Sequence, residues 1–145
     1  MASTGLEVFD KTLQTTNIWL DEIMEEIGPD RDAAWHALGA VLRALRDRLP
    51  LELAVHLGAQ LPLLVRGAYY GQWHLGGHGP APRKLDDFLE VVAANLHGTR
   101  SMNREDATRA VFWTLSRHVD AGQVRKVVDA LPIEIRRFWR GGEGT

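Results

Sequence analysis

The second half of this chain repeats the first at an offset of 70 residues. The identical residues that align at this offset are Ala37/Ala107, Ala40/Ala110, Val41/Val111, Leu45/Leu115, Leu61/Leu131, Pro62/Pro132 and Arg66/Arg136. Further upstream, an offset of 69 aligns Trp19 with Phe88 and Ile23 with Val92. Self-similarity at a fixed period is the mark of a duplicated structural unit. The sequence therefore predicts that the chain contains two related units.

The spacing of apolar residues predicts that both units are helical. Apolar side chains recur every three or four positions over residues 6–27, and again along the segments that follow Asp30, Asn103 and Asp120. These three polar residues are of the type that caps helix N-termini. Pro50, Pro62 and Pro132 stand where further helices begin, a position at which a missing N–H costs nothing. No stretch alternates with the period of a strand, so we predict an all-α fold of about eight helices in two related four-helix units.

The distribution of glycine and proline predicts how the units are joined. Residues 71–83 contain Gly71, Gly76, Gly77, Gly79, Pro80 and Pro82. Such a stretch does not hold regular structure. We therefore expect one domain of 145 residues made of a repeat unit over 6–70, a linker over 71–83 and a second unit over 84–140.

Composition indicates the compartment and excludes several kinds of site. The chain has no cysteine, which excludes disulfides and thiolate chemistry, and its first residues lack a secretory pattern, so we expect a cytoplasmic protein. The uncharged run between Glu52 and Arg66 is too short to span a bilayer. The net charge of −2 is divided into −6 over residues 1–30, +1 over 31–99 and +3 over 100–145. The acidic first helix could lie near the basic last one, within a molecule or between neighbours, but solvated helix faces are the favoured interpretation.

The residues before the linker form the best candidate binding site. Tyr69, Tyr70, Trp73 and His74 lie within six positions of one another. Aromatic side chains with a polar handle, placed beside a Gly-rich loop, could hold a planar ligand or a partner's side chain. The alternative, which we favour, is that Tyr69 packs into the base of its own unit and Trp73 pins the linker.

A second candidate surface is the densest group of basic residues in the chain: Arg125, Lys126, Arg136, Arg137 and Arg140. These residues could contact the phosphates of a nucleic acid. A duplex-binding domain is normally much more basic than this chain, whose isoelectric point is about 6.3. A solvated basic face near helix C-termini is therefore the favoured interpretation, and the low isoelectric point argues against nucleic-acid binding.

No pattern of catalytic or metal-binding residues is recognisable. The chain lacks HExxH, a Gly-x-Ser-x-Gly elbow and a phosphate-binding Gly-rich loop. Glu52 and His56 are four apart, a spacing typical of exposed pairs on a helix, and His74 with His78 offers only two loop ligands. We therefore expect no enzymatic activity, no metal and no cofactor.

Three segments resemble a bacterial family known as domain of unknown function 2267. They are Phe-Asp-Lys-Thr-Leu at residues 9–13, the helix from Ala34 to Pro50, and Gln60 to Trp73. The resemblance extends over nearly the whole chain, including Ala110-Val-Phe and Leu131-Pro132. It implies a small cytoplasmic bacterial helical domain, sometimes paired with other modules, and it assigns no activity or site residue to this sequence.

Taken with the composition, these patterns predict a non-catalytic module that binds another protein or a second copy of itself, away from membranes. Two alternatives stay open. One is a small-ligand or sensor domain that uses an aromatic cleft between the two units, lined by Tyr69, Tyr70 and Trp73. The other is association with nucleic acid through the basic group.

Overall fold

The computed structural model describes residues 4–74, 84–96 and 102–139. Within these ranges the chain is all helical, as predicted, with no strand. The eight helices are α1 (Glu7–Ile27), α2 (Arg31–Arg48), α3 (Leu51–Ala59), α4 (Leu63–Tyr70), α5 (Leu85–Asn95), α6 (Arg104–His118), α7 (Ala121–Asp129) and α8 (Ile133–Arg136). From residue 75 onward the predicted linker lies outside the described residues.

The helix starts follow the capping residues that the sequence predicts. The Asp30 carboxylate accepts a hydrogen bond from the backbone N–H of Ala33 at 3.0 Å. The Asn103 side chain accepts from Glu105 and Asp106 at 2.8 and 2.9 Å, and Asp120 accepts from the Gln123 N–H at 3.1 Å. Each cap satisfies N–H groups that have no partner inside the helix. Pro50, Pro62 and Pro132 each stand immediately before the first residue of α3, α4 and α8.

The two halves of the chain interlock rather than sit side by side. The α1 helix packs against α2 of its own half and most extensively against α6 of the other half. The α5 helix likewise packs against α6 and against α2, where the Asn95 amide donates to the Ala40 carbonyl at 3.0 Å. The α3 and α7 helices meet each other. Each half thus closes the core of the other, whereas the duplication itself stays a prediction.

The core is built around α2 and α6, whose inward faces are almost fully buried. In α2 the buried face includes Leu38, Val41, Leu42 and Leu45, and its counterpart in α6 includes Val111, Phe112 and Leu115. The Phe112 ring stacks on Trp139 with ring centres 4.4 Å apart. No helix in the described ranges combines the length and apolar character needed to cross a membrane.

Candidate functional site

Tyr69, the first of the aromatic candidates, is a core residue. It is fully buried, and its hydroxyl donates to the Ala54 carbonyl of α3 at 2.6 Å. Burial raises the pKa of this phenol well above its ordinary value, and the neighbouring Tyr70 adds to the effect, whereas the nearby Arg46 opposes it. The hydroxyl therefore ties α4 to α3.

The other aromatic candidates surround a buried arginine of α2. Tyr70 stacks on Trp73 with ring centres 5.6 Å apart, and the Arg46 guanidinium lies 5.3 Å from the centre of the Trp73 ring. Only 3 % of Arg46 is exposed, and it donates to the carbonyls of Tyr69 and Gly71 at 2.8 and 2.7 Å. Those carbonyls belong to the end of α4, where helical partners are lacking. The cluster closes α4, while His74 is exposed beyond it.

The basic candidates divide between two roles. Arg125 and Lys126 of α7 and Arg137 beyond α8 are exposed. Arg136, by contrast, donates to the carbonyls of Leu131 and Asp129 at 3.0 and 3.4 Å and so supports the turn between α7 and α8. Arg140 lies outside the described residues. Three of the described basic candidates are therefore exposed, whereas Arg136 is half-buried at the turn.

A cavity lies elsewhere, in a groove between α1, the turn from α3 to α4, and the end of α6. It has a volume of about 410 Å³. Its lining residues are Val8, Lys11, Thr12, Thr15, Trp19, Ala59, Gln60, Leu61, Pro62, Leu63, Arg66 and His118. It joins the two halves of the chain, as the predicted cleft does, but it contains none of the four aromatic candidates.

The floor of this groove is fixed by contacts between α1 and α6. The His118 ring stacks on the buried Trp19 with ring centres 5.3 Å apart. Its Nε2 lies 2.7 Å from a carboxylate oxygen of Glu22, whose other oxygen is 3.7 Å from Arg117. Glu22 of α1 is therefore paired with two side chains of α6, and not with the last helix, which the charge distribution along the sequence offered as one possible neighbour.

The opposite wall is fixed by hydrogen bonds at the turn between α3 and α4. The Thr12 hydroxyl accepts from the Leu64 N–H at 3.2 Å, which places the start of α4 against α1. The Gln60 side-chain oxygen accepts from the Asp120 N–H at 2.9 Å, linking this turn to α7. Arg66 donates to the carbonyls of Leu61 and Ala59 at 2.9 and 3.2 Å. The groove is therefore held open by packing that does not depend on a ligand.

The charge of the groove is positive. Its lining includes Lys11, Arg66 and His118 and no aspartate or glutamate. Of these three, His118 faces Glu22, whereas neither Lys11 nor Arg66 forms an ion pair with any acid in the described part of the chain. A groove with an apolar floor and unbalanced positive charge favours ligands that combine apolar and anionic parts.

A second surface of note lies on the other side of the contact between α1 and α4. Leu6, Phe9, Leu13 and Leu64 are between 41 and 52 % exposed, and we call these four residues the apolar face. Since successive helical residues are rotated by about 100°, Val8 lies on one side of Thr12 and Phe9 with Leu13 on the other. The groove and the apolar face are thus two separate surfaces that share the same helix.

Neither surface is marked by a local motif. The groove gathers residues from positions 8 to 118, and its arrangement depends on how α1 crosses α6. The exposure of Phe9 and Leu13 could not be predicted from sequence either, since their spacing is that of an ordinary buried helical stripe. In the described ranges, no three side chains of the type that binds metals come together.

The comparison with protein families agrees with the resemblance seen in the sequence. The model of the family described as "Uncharacterized conserved protein (DUF2267)" matches residues 16–138. The first turns of α1, which carry Val8, Phe9, Lys11 and Leu13, precede the matched segment. No curated protein is significantly similar to the chain. Because the family match spans most of its length, the chain belongs to the DUF2267 family.

Proposed function

We propose that this protein is a non-catalytic interaction module that associates through the apolar face of α1 and α4. The observation that supports this function is the exposure of four large apolar side chains. Leu6, Phe9 and Leu13 follow one side of α1 by their spacing of three and four. Leu64 lies in the first turn of α4, and its N–H donates to the Thr12 hydroxyl of α1. Single exposed apolar residues are ordinary, but a group of them marks an interaction surface. Full burial of each such side chain contributes about 1.5–3 kcal/mol.

The occupant that we propose for this face is a second copy of the chain. Glu7 and Asp10 lie in the first turn of α1, beside the apolar face. The exposed Arg125, Lys126 and Arg137 provide charge of the opposite sign on the same molecule. Opposite surface charges favour encounter and orient the partners, while apolar burial supplies most of the affinity.

Light scattering coupled to size-exclusion chromatography tests this proposal over a range of protein concentrations. We expect a mass above that of the monomer, and we expect Phe9→Glu and Leu13→Glu to shift the protein toward the monomer. Ile18→Glu is the matched control, because Ile18 is 47 % exposed on the same helix but lies about 180° around α1 from Phe9. A monomer that captures another protein, and loses it in Phe9→Glu but not in Ile18→Glu, would support an interaction module with a different partner.

Two results would overturn the proposal. One is a protein that stays monomeric at all concentrations and captures no other protein through Phe9 or Leu13. The other is an oligomer that Ile18→Glu weakens as much as Phe9→Glu does. Circular dichroism of each variant establishes that the helical fold is retained.

A second candidate function is the binding of a small ligand, favoured by the groove beside Trp19. Its volume of about 410 Å³ is in the range of small-molecule sites, roughly 300–1,000 Å³. The ligand would bind at the junction of the two halves, as the sequence predicts, but beside Trp19 and His118 and not beside Tyr69, Tyr70 and Trp73. It does not exclude association through the apolar face.

Binding of nucleic acid is the least supported candidate. Arg136 keeps its charge but is half-buried and donates to carbonyls within its own turn, whereas Arg125, Lys126 and Arg137 are the exposed cations of the described basic group. Neutralisation of several phosphates needs several free cations and gives a steep dependence on salt. Binding of DNA that weakens with salt and is lost on replacement of Arg125 and Lys126 would reverse this ranking.

A further inference from the structure

The groove between α1, the α3–α4 turn and α6 has a chemical character that narrows its ligand, an inference that rests on the second candidate function above. Its floor is the stack of His118 on Trp19, in which Trp19 is only 2 % exposed, and its apolar rim includes Val8 and Leu63. A groove with apolar rims beside an aromatic stack suits a flat or branched hydrocarbon body. This accounts for the apolar part of a ligand.

The polar part is set by two cations. Lys11 and Arg66 both line the groove, and in the described part of the chain neither forms an ion pair. Arg66 is held in place by the carbonyls of Leu61 and Ala59, which fix its guanidinium at the wall without neutralising its charge. A cation that is already ordered loses little entropy when it binds an anion. The pair therefore favours one anionic group.

The backbone around the groove adds to this preference. The α4 helix begins at Leu63, a lining residue, so its partial positive end lies at the groove. The Thr12 hydroxyl takes only the N–H of Leu64. Gln60 uses its side-chain oxygen for the N–H of Asp120, so its amide N–H groups are the part left for another partner. The start of α4 and the Gln60 amide thus offer partial positive charge or N–H donors to an anion.

We propose that the groove binds a small amphipathic anion, with its hydrocarbon body against Val8, Leu63 and the stack of His118 on Trp19, and its single carboxylate, sulfonate or phosphate group at Lys11 and Arg66. The proposal concerns a small molecule and not a macromolecule. It uses the side of α1 that carries Val8 and Lys11, whereas association uses the side that carries Phe9 and Leu13.

The probe for this proposal is 8-anilinonaphthalene-1-sulfonate, whose fluorescence rises on binding to an apolar site. N-phenyl-1-naphthylamine is the matched neutral compound, because it has the same rings without the sulfonate. We expect the folded protein to bind the sulfonate more tightly than the neutral compound at low salt. We expect Lys11→Gln to weaken sulfonate binding about three- to tenfold, about 0.7–1.4 kcal/mol, and to leave the affinity for the neutral compound unchanged.

Matched variants separate the groove from other surfaces. Lys126→Gln removes the same charge from an exposed position on α7 and is expected to leave sulfonate binding unchanged. Val8→Glu adds an acid at the rim of the groove, at a side chain that is 57 % exposed, and is expected to abolish sulfonate binding without unfolding the protein. Leu13→Glu is expected to reduce association and to leave sulfonate binding intact.

These measurements distinguish failure of this proposal from failure of the interaction function. Equal affinity in Lys11→Gln and Lys126→Gln would overturn the anion site, as would equal affinity of the native protein for the two compounds. Loss of sulfonate binding in Leu13→Glu but not in Val8→Glu would place the probe on the apolar face and would also overturn it. Each of these results leaves the mass measurements on Phe9→Glu and Leu13→Glu unaffected.

Discussion

Arg66 and Arg136, which lie 70 positions apart, make the same pair of hydrogen bonds in the two halves of the chain. Arg66 donates to the carbonyls of Leu61 and Ala59 at 2.9 and 3.2 Å. Arg136 donates to those of Leu131 and Asp129 at 3.0 and 3.4 Å. The acceptors are also separated by 70 positions. In each half the guanidinium thus supports the turn that leads into the last helix, α4 or α8.

This relationship predicts that both arginines stabilise the fold. We expect Arg66→Ala and Arg136→Ala each to lower the free energy of unfolding by about 1–2 kcal/mol, because the turn carbonyls lose charged donors. Urea denaturation followed by circular dichroism measures this change. Arg125→Ala is the control, since Arg125 is exposed on α7, and it is expected to change stability by less than about 0.5 kcal/mol. Equal effects of Arg136→Ala and Arg125→Ala would assign Arg136 to the solvated basic surface instead.

Two helical glycines should respond in opposite directions to replacement by alanine. A methyl group at Gly58 of α3 would lie 2.6 Å from the Tyr70 Cζ and 3.0 Å from the Tyr69 Cε2. At Gly67 of α4 no atom lies within 4 Å of the added carbon. The nearest atom is the Tyr70 hydroxyl, and because Tyr70 is stacked on Trp73 and Tyr69 is buried, the rings can move away only by losing packing. We therefore expect Gly58→Ala to cost about 1–3 kcal/mol. Gly67→Ala should stabilise by about 0.5–1 kcal/mol through helix propensity.

Thermal melting of both glycine variants provides the measurement. A Gly58→Ala protein as stable as the parent would show that Tyr70 can move aside, and that the packing of α3 against α4 is looser than described. The double variant Gly58→Ala/Tyr70→Ala removes the nearest obstruction, so it should be less destabilised than the sum of the two single changes.

Much of the fold could be predicted from sequence because its signals are local. Asp30, Asn103 and Asp120 cap helices as their positions indicate, and apolar spacing locates the helix faces. The groove could not be predicted, since Lys11, Arg66 and His118 come together only through the crossing of α1 with α6 and α4. The aromatic group of Tyr69, Tyr70 and Trp73 was only partly predictable. Its members are close in sequence, but the buried Arg46 around which they pack belongs to another helix.

The raised pKa of Tyr69 predicts a loss of stability at high pH. The unfolded phenol ionises near its ordinary pKa of about 10, whereas the folded phenol stays protonated to higher pH. The stability that this group contributes is therefore complete below about pH 10 and declines as pH rises above it. Tyr69→Phe should cost about 0.5–1.5 kcal/mol at pH 8, because it removes the hydrogen bond to the Ala54 carbonyl.

The sign of the effect is checked by comparing the two proteins at pH 8 and pH 11. The stability difference between Tyr69→Phe and the parent should shrink at pH 11, because only the parent loses stability through this phenol. The change is bounded by about 1.4 kcal/mol per pH unit for one group. A difference that is constant or grows over this range would show that Tyr69 ionises as easily in the folded protein as in the unfolded chain.

The contacts of Arg46 allow the stability contributed by an ion pair to be separated from that contributed by a helix cap. The guanidinium lies 2.8 Å from the Asp47 carboxylate, but Asp47 is 44 % exposed, so water already weakens that pair. The bonds to the Tyr69 and Gly71 carbonyls are shielded and close the end of α4. We therefore expect Asp47→Asn to cost less than about 0.5 kcal/mol and Arg46→Ala to cost about 2–4 kcal/mol. Arg46→Met keeps much of the packing against Trp73 while removing the donors, so its cost should be intermediate. Unfolding in urea monitored by tryptophan fluorescence measures all three, and an Asp47→Asn cost equal to that of Arg46→Ala would identify the ion pair, and not the cap, as the stabilising contact.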